Sequence, residues 1–270
     1  GVPGEMRRML SDTVLPQLGQ ILGAKRNFFR VKTLSTFGLT ESKSFERLAD
    51  LENTFPEICL GLRVKFPEIQ VKLYANGSHE QQLNANLESA ARWVIEKMGN
   101  TVFSLQGDSM EKTIGQLLRS KHATVAVAES CTGGLISHML TNISGSSEYF
   151  VFCGITYSNQ AKIDILKVSA ETIQTHGAVH EKTAQEMALG VQRISGATYG
   201  LATSGIAGPT GGTEDKPVGT VCIGLASPHD CAGYRFHFWF GDRMLNKQVF
   251  AVVALEVLRR ELLGLDPPRF

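Results

Sequence analysis

The sequence has no long hydrophobic run: its longest apolar stretch, residues 249–258, is broken by Glu256. A membrane span needs roughly 20 largely apolar residues, so none is expected. With no signal-like opening segment either, the expected location is the cytoplasm. A surplus of charge of one sign is also missing. Lys plus Arg number 27 against 26 Asp plus Glu, and no basic run stands out, which argues against a nucleic-acid partner. The five cysteines (59, 131, 153, 222 and 231) form no CxxC pair and have no zinc-like spacing, a usage that suits a reducing compartment. The seven histidines are equally dispersed, with no HExxH, so no metal site is expected.

What is present suits two domains, since 270 residues with 43% apolar content can supply a core for each. The opening GVPGEM and a helical pattern over residues 6–22 read as the end of something longer. Residues 28–35 alternate as a strand does, a short helix is expected at 45–51, and strands at 58–66 and 69–75 precede an Asn76-Gly77 turn. A helix at 83–98 completes a β-α-β-β-α order, which predicts a small two-layer α+β domain. From Ser109 onward, helices alternate with runs of continuous apolar character. These predict strands at 122–128, 150–157 and 198–204, and an antiparallel pair at 219–225 and 233–240. A closing helix is expected over 246–263, and the order predicts an α/β domain, a three-layer α/β/α sandwich with a mixed sheet.

Chemistry in such a fold concentrates in loops beyond strand ends. Two glycine-rich loops fill that position, AESCTGG (128–134) and SGIAGPTGG (204–212). Ser130 stands where a strand gives way to a helix, as hydrolase nucleophiles do, although Ser130 or Thr132 equally suits a helix N-cap. Cys131 is a rival nucleophile, but a small residue beside a strand reads better as packing. A serine needs a base. Tyr157 ends a strand, and Lys162 follows about one turn into the next helix, so phenol and amine can face one cleft. The plainer alternative makes Tyr157 a wall residue and Lys162 a solvated charge. Arg243 opens the last helix and offers a bidentate grip for phosphate, Asp242 reads as that helix's N-cap, and Lys216 is a further anion contact or a partner of Glu214 or Asp215.

AESCTGG (128–134), GSS (145–147), TYSNQAK (156–162), GAVHE (177–181), SGIAGPTGG (204–212), KPVGT (216–220) and GDR (241–243) stand in order over some 140 residues. Together they resemble the C-terminal domain of the CinA family, the nicotinamide mononucleotide deamidases. The resemblance divides the chain into residues 1–27, the end of a molybdopterin-binding-like domain; 28–104, the family's small middle domain; and 105–270, the deamidase-like domain. It implies Ser130 as nucleophile, Lys162 as general base and Tyr157 as its partner in a proton relay. It further implies Ser204 near the ligand and Arg243 at the phosphate; backbone donors around Cys131, Thr132 and Gly133 are the candidates to hold the oxyanion, and Gly205 is a further candidate substrate contact. Ser204 stands where the motif more often has threonine, and His180 where serine is commoner.

The activity so implied converts nicotinamide mononucleotide to nicotinate mononucleotide and ammonia through an acyl-enzyme, without metal or organic cofactor, in pyridine-nucleotide salvage. A homo-oligomer, a dimer, is the implied assembly. Two other readings stand beside it: an amidase for another small carboxamide, and a nucleotide-binding sensor or assembly module without turnover. An RNA-binding role for the middle domain is the most distant, because no GxxG loop with basic flanks is present.

Overall fold

The computed structural model of the protein describes residues 2–22 and 27–270. It divides into two compact units, one holding residues up to 36, 40–63 and 69–107, the other 37–39, 64–68 and 108–270.

In the first unit, α1 (Pro3–Met9) and α2 (Leu15–Leu22) are joined by a π-helical turn, Leu10–Val14, and neither α1 nor that turn contains a buried residue. The sheet that follows is built from β1 (Phe28–Thr36), β2 (Ile58–Lys65), β3 (Glu68–Gly77) and β4 (Val102–Ser104), in the order β2-β3-β1-β4. Alternation along β3 buries Ile69, Val71, Leu73 and Ala75 and leaves Lys72 and Tyr74 more open, so one face is committed to the core. That core is closed by α5 (Glu80–Met98), whose Leu83, Leu87, Ala91, Val94 and Met98 fall on one buried stripe.

The first helix of this layer departs from expectation. It begins at Glu41 rather than residue 45, because Thr40 is its N-cap and accepts a bond from the Lys43 N–H; α3 then runs Glu41–Leu48, and a separate turn, α4, follows at Leu51–Thr54. Asn76 and Gly77 do not turn the chain either. They extend β3 and pair with Phe29 and Phe28.

The second unit has a five-stranded mixed sheet in the order β6-β5-β7-β8-β9. Strands β5 (Val125–Glu129), β6 (Phe150–Ile155) and β7 (Tyr199–Gly205) are parallel, whereas β8 (Thr220–Ala226) and β9 (Cys231–His237) run antiparallel. Helices α6 (Met110–Ser120), α7 (Leu135–Thr141), α8 (Asn159–Asp164), α9 (Ala170–His176), α10 (Glu181–Ser195) and α11 (Arg243–Leu263) flank it. The expected strand at 122–128 starts three residues later because Lys121 and His122 form a turn, with His122 at φ 51°.

Small residues explain why α10 lies so close to the sheet. Ala126, Ala128, Ala202 and Ala226 share a buried cluster with Met187, Ala188 and Val191 of α10. A Cβ on Gly224 would stand 1.8 Å from the Ala184 carbonyl oxygen, and one on Gly200 would stand 2.1 Å from that of Ala188. Bare backbone is therefore required under two successive turns of the helix. The α11 helix is buried along most of its length, and Glu256, the charge that interrupts its apolar run, bonds to Arg259 (2.6 Å) and Arg260 (2.7 Å).

Candidate active site

The parallel pairing of β5 with β6 sets Glu129 opposite Ile155, and Thr156 donates its N–H to the Glu129 carbonyl. The residues that follow each strand end, Ser130 and Thr156–Tyr157, are thereby brought side by side. Helix α8 starts directly afterwards, with Ser158 as N-cap to the Ala161 N–H, so Lys162 points back toward the sheet. Its amine is fully buried and contacts three oxygens: the Thr156 carbonyl at 2.8 Å, the Tyr157 carbonyl at 3.1 Å and Ser130 Oγ at 3.2 Å. Loss of water at this position lowers the Lys162 pKa below its ordinary value of 10.5.

Ser130, Cys131, Tyr157 and Arg243 line one cleft of about 260 Å³ with the 205–211 loop. The loop between Ser130 and α7 has a side-chain anchor that the sequence did not announce. Glu129, fully buried, accepts from the N–H groups of Gly134, Ile136 and Ser137 and from the Ser137 hydroxyl. The N-cap position of α7 is thus neither Ser130 nor Thr132 but Gly134, and the N–H groups at the helix start are satisfied by the Glu129 carboxylate. Thr132 is buried, with its hydroxyl 2.8 Å from that of Thr203. The Gly133 N–H donates to the Ser130 carbonyl, leaving the N–H groups of Cys131 and Thr132 as the loop donors with no oxygen acceptor among the described residues. Cys131 is buried as expected, and burial pushes its thiol up to about 12.

Other candidates are distributed differently. Gly205 lines the cleft, whereas Ser204, 1% exposed, commits its hydroxyl to the Ala178 carbonyl. The Tyr157 phenol reaches the cleft, but its hydrogen-bond partner is Arg243, at 3.4 Å; only its backbone carbonyl touches Lys162. Arg243 also donates to the Gly208 carbonyl at 2.6 Å. Asp242 caps α11 through the Leu245 N–H, as its position predicts. Lys216 pairs with neither acid beside it; it donates to the His176 carbonyl. Among the described residues no group of three or more His, Cys, Asp or Glu side chains is arranged to hold a metal ion, and no helix is long and apolar enough to cross a membrane.

The fold and this cleft define an α/β domain with a lysine-paired serine at a strand end. Residues 107–262 match the family model described as the CinA C-terminal domain, and residues 31–104 match the one described as the damage-inducible protein CinA KH domain. The chain belongs to the CinA family. It is 51% identical to a CinA-like protein of Desulfosudis oleivorans over 97% of its own length and 64% of the relative's. It is 43% identical to one from Geobacter metallireducens over 98% of its length and 63% of the relative's. The chain thus spans just under two thirds of these relatives. Among solved structures it is similar to the competence/damage inducible protein CihA of Agrobacterium tumefaciens, at 37% identity and a TM-score of 0.54, over 55% of this chain and 91% of that one.

Proposed function

We propose that this chain hydrolyses the carboxamide of nicotinamide mononucleotide to nicotinate mononucleotide and ammonia, with Ser130 as nucleophile and Lys162 as general base. The observation that carries this reading is the arrangement of oxygens around Lys162 Nζ. A neutral amine has two N–H groups and one lone pair. If the Thr156 and Tyr157 carbonyls take the two N–H groups, the lone pair faces the Ser130 hydroxyl, 3.2 Å away. Burial favours that neutral form, the form a base needs.

In the reaction so derived, Lys162 takes the Ser130 proton as Oγ bonds to the carboxamide carbon. The oxyanion is held by the N–H groups of Cys131 and Thr132. The lysine proton passes to the departing nitrogen, the C–N bond breaks and ammonia leaves. A water molecule, deprotonated by Lys162, then cleaves the acyl ester and restores the Ser130 hydroxyl. No relay through the Tyr157 phenol is required, since Lys162 meets the serine directly; paired with Arg243, the phenol acts on the substrate side of the cleft. The substrate assignment rests on family membership and on the exposed Arg243 guanidinium at the cleft, a group suited to a phosphate monoester. Steady-state ammonia release from nicotinamide mononucleotide is the test. Turnover that is lost in Ser130→Ala supports the reading, and a folded parent chain that binds the nucleotide without releasing ammonia overturns it in favour of a sensor.

A further inference from the structure

The core of the first unit lies on one side of its sheet. Along β1 the even positions turn toward α5, where Arg30 pairs with Glu80, Lys32 pairs with Glu88 and Leu34 is fully buried. The odd positions, Phe29, Val31, Thr33 and Ser35, therefore belong to the other face. Gln70, Lys72, Tyr74 and Asn76 of β3 join them there, alternating with that strand's buried residues. Gly61 marks the same face on β2: a Cβ placed on it would stand 2.7 Å from Tyr74 Cε2, so Cys59 and Arg63 share the face by alternation.

The middle of this face is an aromatic pair on the two central strands. Phe29 is 59% exposed, and its ring and that of Tyr74 lie 6.0 Å apart and 28° from parallel. The Tyr74 ring settles over bare backbone at Gly61, and Val31, 42% exposed, stands opposite Tyr74 in the strand register. At one end the face is closed, since Ser35 is fully buried and a Cβ on Gly107 would stand 2.9 Å from the Thr33 methyl carbon. Charge is segregated as well. Residues 29, 31, 33, 35, 59, 61, 63, 70, 72, 74 and 76 include two cations, Arg63 and Lys72, and no acid. Neither an ion pair nor a hydrogen bond to either cation is found among the described residues. The even charge balance of the whole chain thus conceals a face of one sign.

Exposed rings on central strands contribute nothing to the core behind them and wait for a partner with flat apolar faces. A protein interface of ordinary size takes roughly 20–30 residues a side, more than this patch offers. A single strand of nucleic acid needs less: ring faces for its bases and cations for its phosphates. Four-stranded sheets that present aromatics from their surface hold unpaired bases in this way. We propose that the open face of this sheet binds single-stranded nucleic acid, DNA and RNA alike, with bases stacked on Phe29 and Tyr74 and the phosphate backbone beside Lys72 and Arg63. The GxxG loop that the sequence lacks is not needed, because contact is made by the sheet itself. Binding tolerates any sequence, since every base has a π-face. The inference is independent of whether the serine cleft hydrolyses an amide.

The test is fluorescence anisotropy of labelled oligothymidylate, oligouridylate and a DNA duplex of the same length, titrated with this chain at several salt concentrations. Both single strands are expected to bind, and more tightly than the duplex, whose bases are already stacked. Phe29→Ala and Tyr74→Ala each weaken single-strand binding about fivefold or more, whereas Tyr74→Phe retains it. Lys72→Gln and Arg63→Gln each weaken it and reduce the steepness of the salt dependence by about 0.7 in the logarithmic slope. All five side chains are at the surface or half-buried, and circular dichroism checks that each variant is folded. Absence of binding at about 0.5 mM protein in low salt overturns the proposal, as does binding that the two ring variants leave unchanged or a preference for duplex. Self-association that Phe29→Ala abolishes, with no oligonucleotide bound, also overturns it and gives the face to a second copy of the chain.

Discussion

Ser130 Oγ and Lys162 Nζ meet at 3.2 Å across 32 residues of sequence because parallel neighbouring strands end at the same level and a short helix turns the lysine back over them. Two backbone carbonyls fix the amine, so its position does not depend on another side chain. The first expectation follows directly. Ser130→Ala abolishes ammonia release, and Lys162→Met lowers kcat by about 10²- to 10⁴-fold, the range for loss of a positioned base. Retention of folding by circular dichroism separates a chemical loss from a structural one.

The pH dependence has a defined sign. Lys162 has a folded pKa below its unfolded value of about 10.4, so the rate of parent chain rises with pH as the folded amine loses its proton. Between the two pKa values the unfolded chain binds a proton that the folded chain does not. The stability of parent relative to Lys162→Met therefore increases with pH across that window and levels off above it. Paired urea titrations from pH 6 to 10 measure the difference, and a decline with pH refutes the assignment.

Glu68 behaves oppositely. It is 4% exposed, accepts the Met110 N–H at 3.0 Å and has a pKa raised by burial to about 7. A folded carboxyl with a raised pKa stabilises fully below its unfolded value and loses that contribution as pH rises through the folded one. Relative to Glu68→Gln, which keeps the acceptor oxygen, the parent chain should lose up to about 3 kcal/mol between roughly pH 4.5 and 7. Thermal midpoints of the two proteins at pH 4.5 and 8 check it.

Glu129 tests how the serine loop is held. Glu129→Ala strips the acceptor from three N–H groups and one hydroxyl. Donors left without partners in a buried place cost about 1–3 kcal/mol each when water cannot reach them, so a loss of at least about 3 kcal/mol is expected. Chemical denaturation measures it. Glu129→Gln should fall between the two, because its amide nitrogen faces donors.

Packing under α10 is equally open to measurement. Gly224→Ala puts a methyl group 1.8 Å from the Ala184 carbonyl oxygen, backbone against backbone, and the helix must shift. The expected loss is about 1–3 kcal/mol or more, typical of overpacking, read as a lower thermal midpoint.

The secondary structure was largely legible because apolar periodicity is strong here. The alternation in β3 and the stripe on α5 announced themselves, as did the continuous apolar runs of β5 and β7. Boundaries slipped where a side-chain cap or a turn, not hydrophobicity, decides: Thr40 starts α3 early, and the turn at His122 delays β5. Helix α9 gave no signal, since only Thr172 of its seven residues is buried. At the candidate site, motif order pointed to Ser130, Lys162 and Arg243, which the fold brings to one region. The role of Glu129 was invisible, because it depends on groups that approach only in three dimensions. Lys216 and Ser204 show the converse: both carry groups apt for ligands, and both are engaged by backbone carbonyls.

The buried, weakly acidic thiol of Cys131 has a practical corollary for anyone wishing to watch this protein at work. Alkylating and maleimide reagents react through thiolate and need access, and Cys131 offers neither, whereas Cys59 is exposed on β2. A fluorophore or spin probe should therefore attach at Cys59, in the other compact unit, and leave unmodified the muted thiol that follows Ser130 in sequence.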